Sequence, residues 1–412
     1  LINPRSKVDG ATPELKETEH FYLDLSTLEP QIQQFLKDRE DYWRPNVLRQ
    51  SLGTIQSVGL KPTSITRDLE WGIPVPLEGW EGKCLYVWFE AVIGYLSSTV
   101  EWGHLYDQPD VWREWWTNQN ARSFYFIGKD NITFHAVTWP AELLGMGADF
   151  DHHMGSDAPQ ALVLPYDVPA NEFMNLEGKK ISGSNNWAVW GLDALDRYDS
   201  DALRYYLAVA MPENRDTDWD WEDFYQRNNN ELVATWGNLV NRVLSFTWKN
   251  FDGKIPNPGQ LRAPDHELLD KITAGFDLVG DHIEKVQLKA ALAEAMRLAT
   301  EVNKYLDVQA PWFEIKTDRN EAAKSLFTAI QAIDWLKIIF SPFLPETSEQ
   351  LNKILANDYS LFETPFTREV KDSLGTHLVL GLTSDFSLVR PGSDAWVPLE
   401  LEEGKPFNQP AP

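Results

Sequence analysis

Cysteine is almost missing from this 412-residue chain: Cys84 is the only one. That excludes an internal disulfide framework and a cysteine-based zinc site, and it fits a reducing cytoplasm. Long apolar runs are missing too, so nothing reads as a bilayer span, and the N-terminus shows no basic-then-apolar signal pattern. Positive charge is scarce. Lysine and arginine total 37 against 62 aspartates and glutamates, a formal net charge of −25. This argues against non-specific nucleic-acid binding driven by bulk charge, while leaving room for a local basic patch that reads one structured RNA. No fixed-period repeat is visible.

What is there suffices for large cores: 43% hydrophobic residues and 18 tryptophans. The length implies two or three domains. The chain opens in mid-register on "LINPRSKVDG", without a methionine, as expected of a piece of a longer protein.

The first 62 residues are mixed, with an amphipathic helix expected through "EPQIQQFLKDREDYW". From about Ser64 to Pro165 short apolar and aromatic runs alternate with helical stretches. "CLYVWF" (84–89), "SFYFIG" (123–128) and "ALVLP" (161–165) read as buried strands, with helices expected around 90–100 and 109–119. That alternation predicts an α/β parallel sheet. "EFMNLEGKKIS" then reads as a strand, a Glu-Gly turn and a second strand. From about Asp223 the period becomes helical. Leu288, Leu292, Ala295, Ala299, Val302 and Leu306 form one apolar stripe, and Leu326, Ile330, Ile333, Leu336 and Phe340 another, as a helix bundle requires. After Asn357 strong periodicity fades into a Pro-rich tail.

Several stretches carry candidate chemistry, each with a purely structural reading beside it. In "FIGKDNITFH" a strand ends at Gly128, where a nucleotide could approach the backbone closely. Asp130 is a candidate partner for ribose hydroxyls, or simply a helix cap. His135 is a candidate for orienting a substrate, or a histidine satisfied by its neighbour. In "YVWFEAVIGYL", Trp88 and Tyr95 are candidate walls for an apolar side chain, or ordinary core. Asn238 and Arg242 share a helix face four residues apart and could read base edges or merely bond along the helix surface. Trp312, after Pro311, is a candidate stacking platform for an unpaired RNA base, or a buried tryptophan. The loop "GKKISGSNN" places Lys179 and Lys180 before a run of small polar residues. It is either a soluble turn or a mobile loop that brings ammonium groups to a phosphate.

In order and wording these segments resemble methionyl-tRNA synthetase, a class I aminoacyl-tRNA synthetase. The resemblance is carried by "ITRDLEWGIPVP" (65–76), "YVWFEAVIGYL" (86–96), "FIGKDNITFHAVTWPAELLG" (126–145) and "EGKKISGS" (177–184). It continues through "YDSDALRYYLAVAMPENRDTDWDWEDF" (198–224), "NELVATWGNLVNRV" and "DVQAPW". It covers nearly the whole chain apart from the last 50 or so residues.

The resemblance implies an α/β fold, the second half of a Rossmann-like nucleotide-binding sheet, followed by an all-α anticodon-binding bundle. The expected parts are the end of a connective insertion at 1–62, the second half of the catalytic domain at 63–165, a KMSKS-type linker module at 166–224, the anticodon-binding domain at 225–358 and a C-terminal tail at 359–412. Such enzymes activate methionine with ATP and Mg²⁺, release pyrophosphate and load tRNA(Met). Residue by residue, Trp88, Ala91, Tyr95 and His135 look like the methionine pocket. Gly128, Asp130, Lys180, Ser182 and Ser184 look like ATP contacts, and Lys180, Lys179 and Arg67 like catalytic residues. Asn238, Arg242, Pro311 and Trp312 match positions that read a CAU anticodon. No metal ligand is expected in this chain. Zinc belongs to the N-terminal part that is absent here, together with the His-Ile-Gly-His motif and half of the nucleotide-binding fold, so this chain by itself is expected to be inactive. The resemblance implies a cytoplasmic enzyme with no membrane partner, and says nothing of oligomeric state.

One departure stands in the loop, which reads Lys180-Ile181-Ser182-Gly183-Ser184, with Gly183 where the family pattern has a second lysine. Lys179 is the candidate to compensate for it. The competing readings are a related class I synthetase for leucine, isoleucine, valine or cysteine, and a non-catalytic tRNA-binding paralogue. The "VWFEAVIGYL" and "APW" elements disfavour the first, while Gly183 and the absent half motivate the second.

Overall fold

A computed structural model describes residues 4–6, 10–14, 16–362, 366–372, 375–381 and 401–410. Its contacts separate two compact units, Leu1–Ala170 and Asn171–Pro412.

The first unit is organised by helices and a tryptophan-rich core. Helix Leu25–Lys37 begins where Asp24 accepts from the Ser26 backbone N–H at 3.2 Å, satisfying one of the free donors of the first turn. It buries Leu25, Ile32, Phe35 and Leu36. Helix Pro45–Val58 starts on a proline, whose missing N–H costs nothing there, and ends at Gly59 with φ 68°. These helices share a core with Leu96, Trp112, Trp116, Ile132 and Trp139. Trp139 meets Trp116 edge-to-face at 5.8 Å and donates its indole N–H to the Tyr125 hydroxyl at 3.1 Å.

The strands are shorter than the apolar runs imply. Lys83–Leu85 pairs antiparallel with Thr66–Asp68, and the chain then turns into the short helix Val87–Glu90, so Trp88 sits on a helix instead of a strand end. Apolar runs of six residues do not by themselves distinguish buried strand from buried helix. Parallel pairing survives as a bridge between Phe124 and Asp167, with the Tyr125 N–H donating to the Asp167 carbonyl at 3.0 Å. Residues 161–165 form no strand. The helix expected around 90–100 is a 3₁₀ turn, Ala91–Ile93, followed by Gly94–Leu105, and the one expected at 109–119 is confined to Trp112–Trp116.

The second unit opens on a three-stranded sheet. Met174–Leu176 lies in the middle, antiparallel to Lys179–Lys180 and parallel to Thr217–Trp219. Leu176, Leu203, Tyr206, Trp219 and Phe224 pack beneath it. The predicted strand-turn-strand is present: Glu177 and Gly178 take φ of 50° and 74°, the primed hairpin geometry. A bundle follows, built from Asn238–Asn250, Ala263–Glu284, Leu288–Gln309, Arg319–Phe340 and Pro345–Ile354. Both predicted stripes face its core: apart from half-buried Leu288, every residue named in them is buried. Residues 401–410, read above as part of a tail without periodicity, lie along this bundle. Ile255 donates to the Lys405 carbonyl at 2.9 Å, Phe407 donates to that of Gly253 at 3.0 Å, and the side chains of Leu401 and Phe407 are in the core.

Among the described residues no helix is long and apolar enough to cross a membrane, and no group of three or more His, Cys, Asp or Glu is placed to hold a metal ion.

Candidate functional site

In the first unit, the segment 127–139 sets out the candidate pocket. Strand Ile127–Gly128 leads into a 3₁₀ turn, Lys129–Asn131, and then into the wide helical turn Phe134–Thr138. Wide turns of this kind are uncommon and recur at functional sites. A side chain built on Gly128 would meet nothing within 4 Å, so the backbone there is open to approach. Asp130 is exposed and caps no helix, contrary to its structural reading.

His135 is 6% exposed. Its Nδ1 lies 3.0 Å from the Asn131 carbonyl, which only accepts, so this nitrogen carries the proton. Nε2 is thereby left as an acceptor for the Tyr95 hydroxyl, 2.8 Å away. Burial lowers the His135 pKa, partly opposed by the Asn131 bond, and keeps the ring neutral. Tyr95 is 40% exposed and its ring meets that of Tyr125 edge-on at 4.9 Å. Trp88 is 45% exposed and stacks on Phe134 at 5.2 Å, tilted by 24°. Ala91, exposed, follows Trp88 at the start of the 3₁₀ turn. Tyr95, Tyr125 and His135 thus form one ring cluster, and Trp88 pairs with Phe134, the residue before His135 on the same wide turn. Neither Phe134 nor Tyr125 is singled out by the sequence motifs. The signal for Phe134 was its place next to His135. Beside Tyr95 and Tyr125 lies a cavity of about 400 Å³ that also takes in Trp116, Arg122 and Phe124.

Arg67 stands on the strand paired with Lys83–Leu85, and its guanidinium carbon lies 3.7 Å from the centre of the Tyr86 ring. Its Nη1 donates to Ser64 O, Ser64 Oγ and Thr66 O, at 3.0, 3.0 and 2.7 Å. Nε and Nη2 have no partner among the described residues.

In the second unit, Lys179 and Lys180 occupy successive positions of one strand, whose side chains point to opposite faces. Lys179 Nζ lies 4.9 Å from the Trp187 ring and Lys180 Nζ 4.8 Å from the Phe173 ring. The two ammonium groups therefore do not serve one face together. The following loop is closed by reciprocal backbone hydrogen bonds between Ser182 and Trp187, both 2.9 Å. Within it the Ser182 and Ser184 hydroxyls are 3.2 Å apart. Its root is fixed where the Gly178 N–H donates to Asp218 Oδ1 at 2.9 Å.

On the bundle, Asn238 and Arg242 are both exposed on helix Asn238–Asn250. Pro311 begins the short helix Pro311–Glu314 after Ala310, which takes φ 44°. Trp312 is half-buried. Arg242 places its guanidinium carbon 4.5 Å from the Trp312 ring centre, and Phe246 meets that ring edge-on at 5.8 Å. Three of the four predicted RNA-reading residues are thus tied to one another by contact or adjacency, and Asn238 lies one helical turn from Arg242.

Comparison with known proteins bears on these sites. The family "tRNA synthetases class I (M)" matches residues 1–244, and "Anticodon binding domain of methionyl tRNA ligase" matches residues 255–379. The chain is 50% identical over 412 residues to the methionine–tRNA ligase of Thermomicrobium roseum, covering all of this chain and 68% of that protein. It is 50% identical to that of Chloroflexus aggregans, with the same coverage. Among solved structures it is similar to Mycobacterium tuberculosis methionyl-tRNA synthetase bound by methionyl-adenylate, with a TM-score of 0.72 and 25% identity over 86% of this chain and 66% of that one. The chain spans about two thirds of the length of these proteins. Both matching families are specific to methionine, which sets aside the leucine, isoleucine, valine and cysteine relatives. With half its residues shared along its entire length, the chain belongs to the methionyl-tRNA synthetase family.

Proposed function

We propose that this chain supplies the methionine-binding and anticodon-reading parts of a methionine–tRNA ligase. That enzyme joins methionine to ATP as methionyl-adenylate, releases pyrophosphate and passes the methionyl group to the 3′ end of tRNA(Met). The observation that carries the reading is that one wide turn takes two aromatic contacts, Trp88 on Phe134 and Tyr95 on neutral His135. A polarisable thioether gains from aromatic edges and faces, and an uncharged wall imposes no desolvated charge on it. Ala91 leaves room beside the Trp88 turn.

Adenylation is an in-line attack of the methionine carboxylate on the α-phosphorus, with pyrophosphate leaving, and it needs positioning and charge stabilisation more than a protein nucleophile. We assign Gly128 to close approach of the nucleotide and Asp130 to its ribose hydroxyls. The unpartnered edge of Arg67 suits an anion. Lys180 is the cation for the departing pyrophosphate, with the Ser182 and Ser184 hydroxyls as further donors. Lys179 would have to leave Trp187 to help. Mg²⁺ enters with the nucleotide, whose phosphate oxygens suit that hard cation. Asn238, Arg242, Pro311 and Trp312 read the CAU anticodon by hydrogen bonds to base edges and stacking. The lone Cys84, buried, suits the cytoplasm. The five-part division at 62, 165, 224 and 358 completes this proposal.

The test is amino-acid-dependent ATP–pyrophosphate exchange by the full-length protein. Methionine-dependent exchange is expected, and leucine-dependent exchange without methionine would overturn the reading. The anticodon assignment is tested by Trp312→Ala with Arg242→Ala on transcripts with and without CAU. Unchanged discrimination would reject it.

A further inference from the structure

Asn303, on helix Leu288–Gln309, belongs to no motif singled out above. It is half-buried, and every polar atom of its amide is engaged. Nδ2 donates to the Thr235 carbonyl at 3.0 Å and to the Ala299 carbonyl at 3.2 Å. Carbonyls only accept, so the amide nitrogen must face them and Oδ1 must face the other way. There it accepts from Arg242 Nη2 at 3.4 Å.

Both ends of that amide bear on the same helix. Thr235 lies in the wide helical segment Asn228–Gly237, which runs directly into Asn238–Asn250. Such segments leave backbone spacing irregular, and a side-chain donor on one of their carbonyls fixes where the following helix begins. Asn303 thus holds the entry to the helix that carries Asn238 and Arg242, and holds the Arg242 head group as well. The Trp312 ring flanks the same guanidinium. An arginine side chain has many rotamers, and restricting them before the ligand arrives removes that ordering cost from binding.

We propose that Asn303 is a positioning residue for anticodon reading, acting through Arg242, an inference that rests on the assignment of Arg242 made above. Its partner is an unpaired base edge presented to the remaining guanidinium N–H groups.

The experiment is a double-mutant cycle in the full-length enzyme with tRNA(Met) transcripts carrying CAU or an altered anticodon. Asn303→Ala should lower kcat/KM for the CAU transcript about tenfold, with the loss in KM for the tRNA and not in kcat. In an Arg242→Ala background the same substitution should cost much less, at most about twofold. Asn303→Asp, which keeps an acceptor for Arg242 but loses the donors to Thr235 and Ala299, should recover only part of the loss. Equal losses in both backgrounds would overturn the proposal, because a residue that only stabilises the bundle acts independently of Arg242. No recovery with aspartate, in a variant that melts like the wild type, would also overturn it. If Arg242→Ala itself leaves anticodon discrimination unchanged, the underlying assignment fails first, and the two failures are told apart.

Discussion

The guanidinium of Arg242 and the indole of Trp312 lie face to cation at 4.5 Å, so neither side chain is positioned alone. The ring restrains the arginine, and the arginine fixes which part of the ring is left for a base. Trp312→Phe retains a π face for Arg242, whereas Trp312→Ala releases it. Loss of a stacked base is worth about 1–3 kcal/mol. In the full-length enzyme, alanine should therefore reduce kcat/KM for CAU transcripts by roughly 5- to 150-fold, and phenylalanine clearly less. Equal effects would mean that a retained π face does not help and that the indole itself is required.

Tyr95→Phe removes the hydroxyl that serves buried His135 Nε2 at 2.8 Å. An orphaned buried acceptor costs about 1–3 kcal/mol. The expected outcome is a several-fold rise in KM for methionine in pyrophosphate exchange, with KM for ATP little changed. Equal increases for both substrates would place Tyr95 outside the methionine slot.

Gly183→Lys restores the family pattern at low steric cost. Gly183 does not need the left-handed conformation, and a Cβ there would lie 3.7 Å from Trp190 Cη2, an ordinary contact. A cation near the leaving pyrophosphate should raise the exchange rate by roughly three- to tenfold, given 1.36 kcal/mol per decade. An unchanged rate would show that the charge of this loop does not limit the reaction.

Glu142 gives this chain a pH dependence. The residue is 6% exposed, neither carboxylate oxygen has a partner among the described residues, and burial pushes its pKa from 4.5 up to about 8. Between those values the folded state holds a proton that the unfolded chain has released, so stability falls as pH rises through the window and levels off above it. Glu142→Gln removes the titration. Its advantage should be small near pH 4 and approach at most roughly 4–5 kcal/mol above pH 8. Thermal unfolding of both chains at pH 5, 7 and 9 checks this, and parallel melting curves at all three would refute it.

The bundle was legible because each predicted stripe lies on one buried helix face. Leu292, Ala295, Ala299, Val302 and Leu306 are all buried. Helix Arg319–Phe340 was readable only in part, since it is buried on most sides and takes the Asp334–Lys337 ion pair inside with it. A charged pair in a core leaves no periodic signal. The α/β half was harder to read. Its strands run two or three residues, and whether a run such as "CLYVWF" stays extended is decided by its partners. Here the Tyr86 N–H donates to the Ile65 carbonyl, after which the Phe89 and Glu90 N–H groups close a turn onto the Tyr86 carbonyl. Site residues adjacent in sequence, such as Pro311 with Trp312, could be picked out. Phe134 and Asn303 could not, because their roles come from a ring or a guanidinium brought beside them by the fold.

The segment 401–410 has a consequence for how the protein is made. Phe407 packs against Trp248 at 5.5 Å, and residues 404–407 exchange backbone hydrogen bonds with Gly253 and Ile255. Synthesis runs from the N-terminus, so helix Asn238–Asn250 and the turn after it emerge long before the segment that covers them. Until residues 401–407 leave the ribosome, an apolar notch at Trp248 and Ile255 stays open to water and to other chains. The helices of the bundle are thus complete in sequence well before the segment that closes this notch.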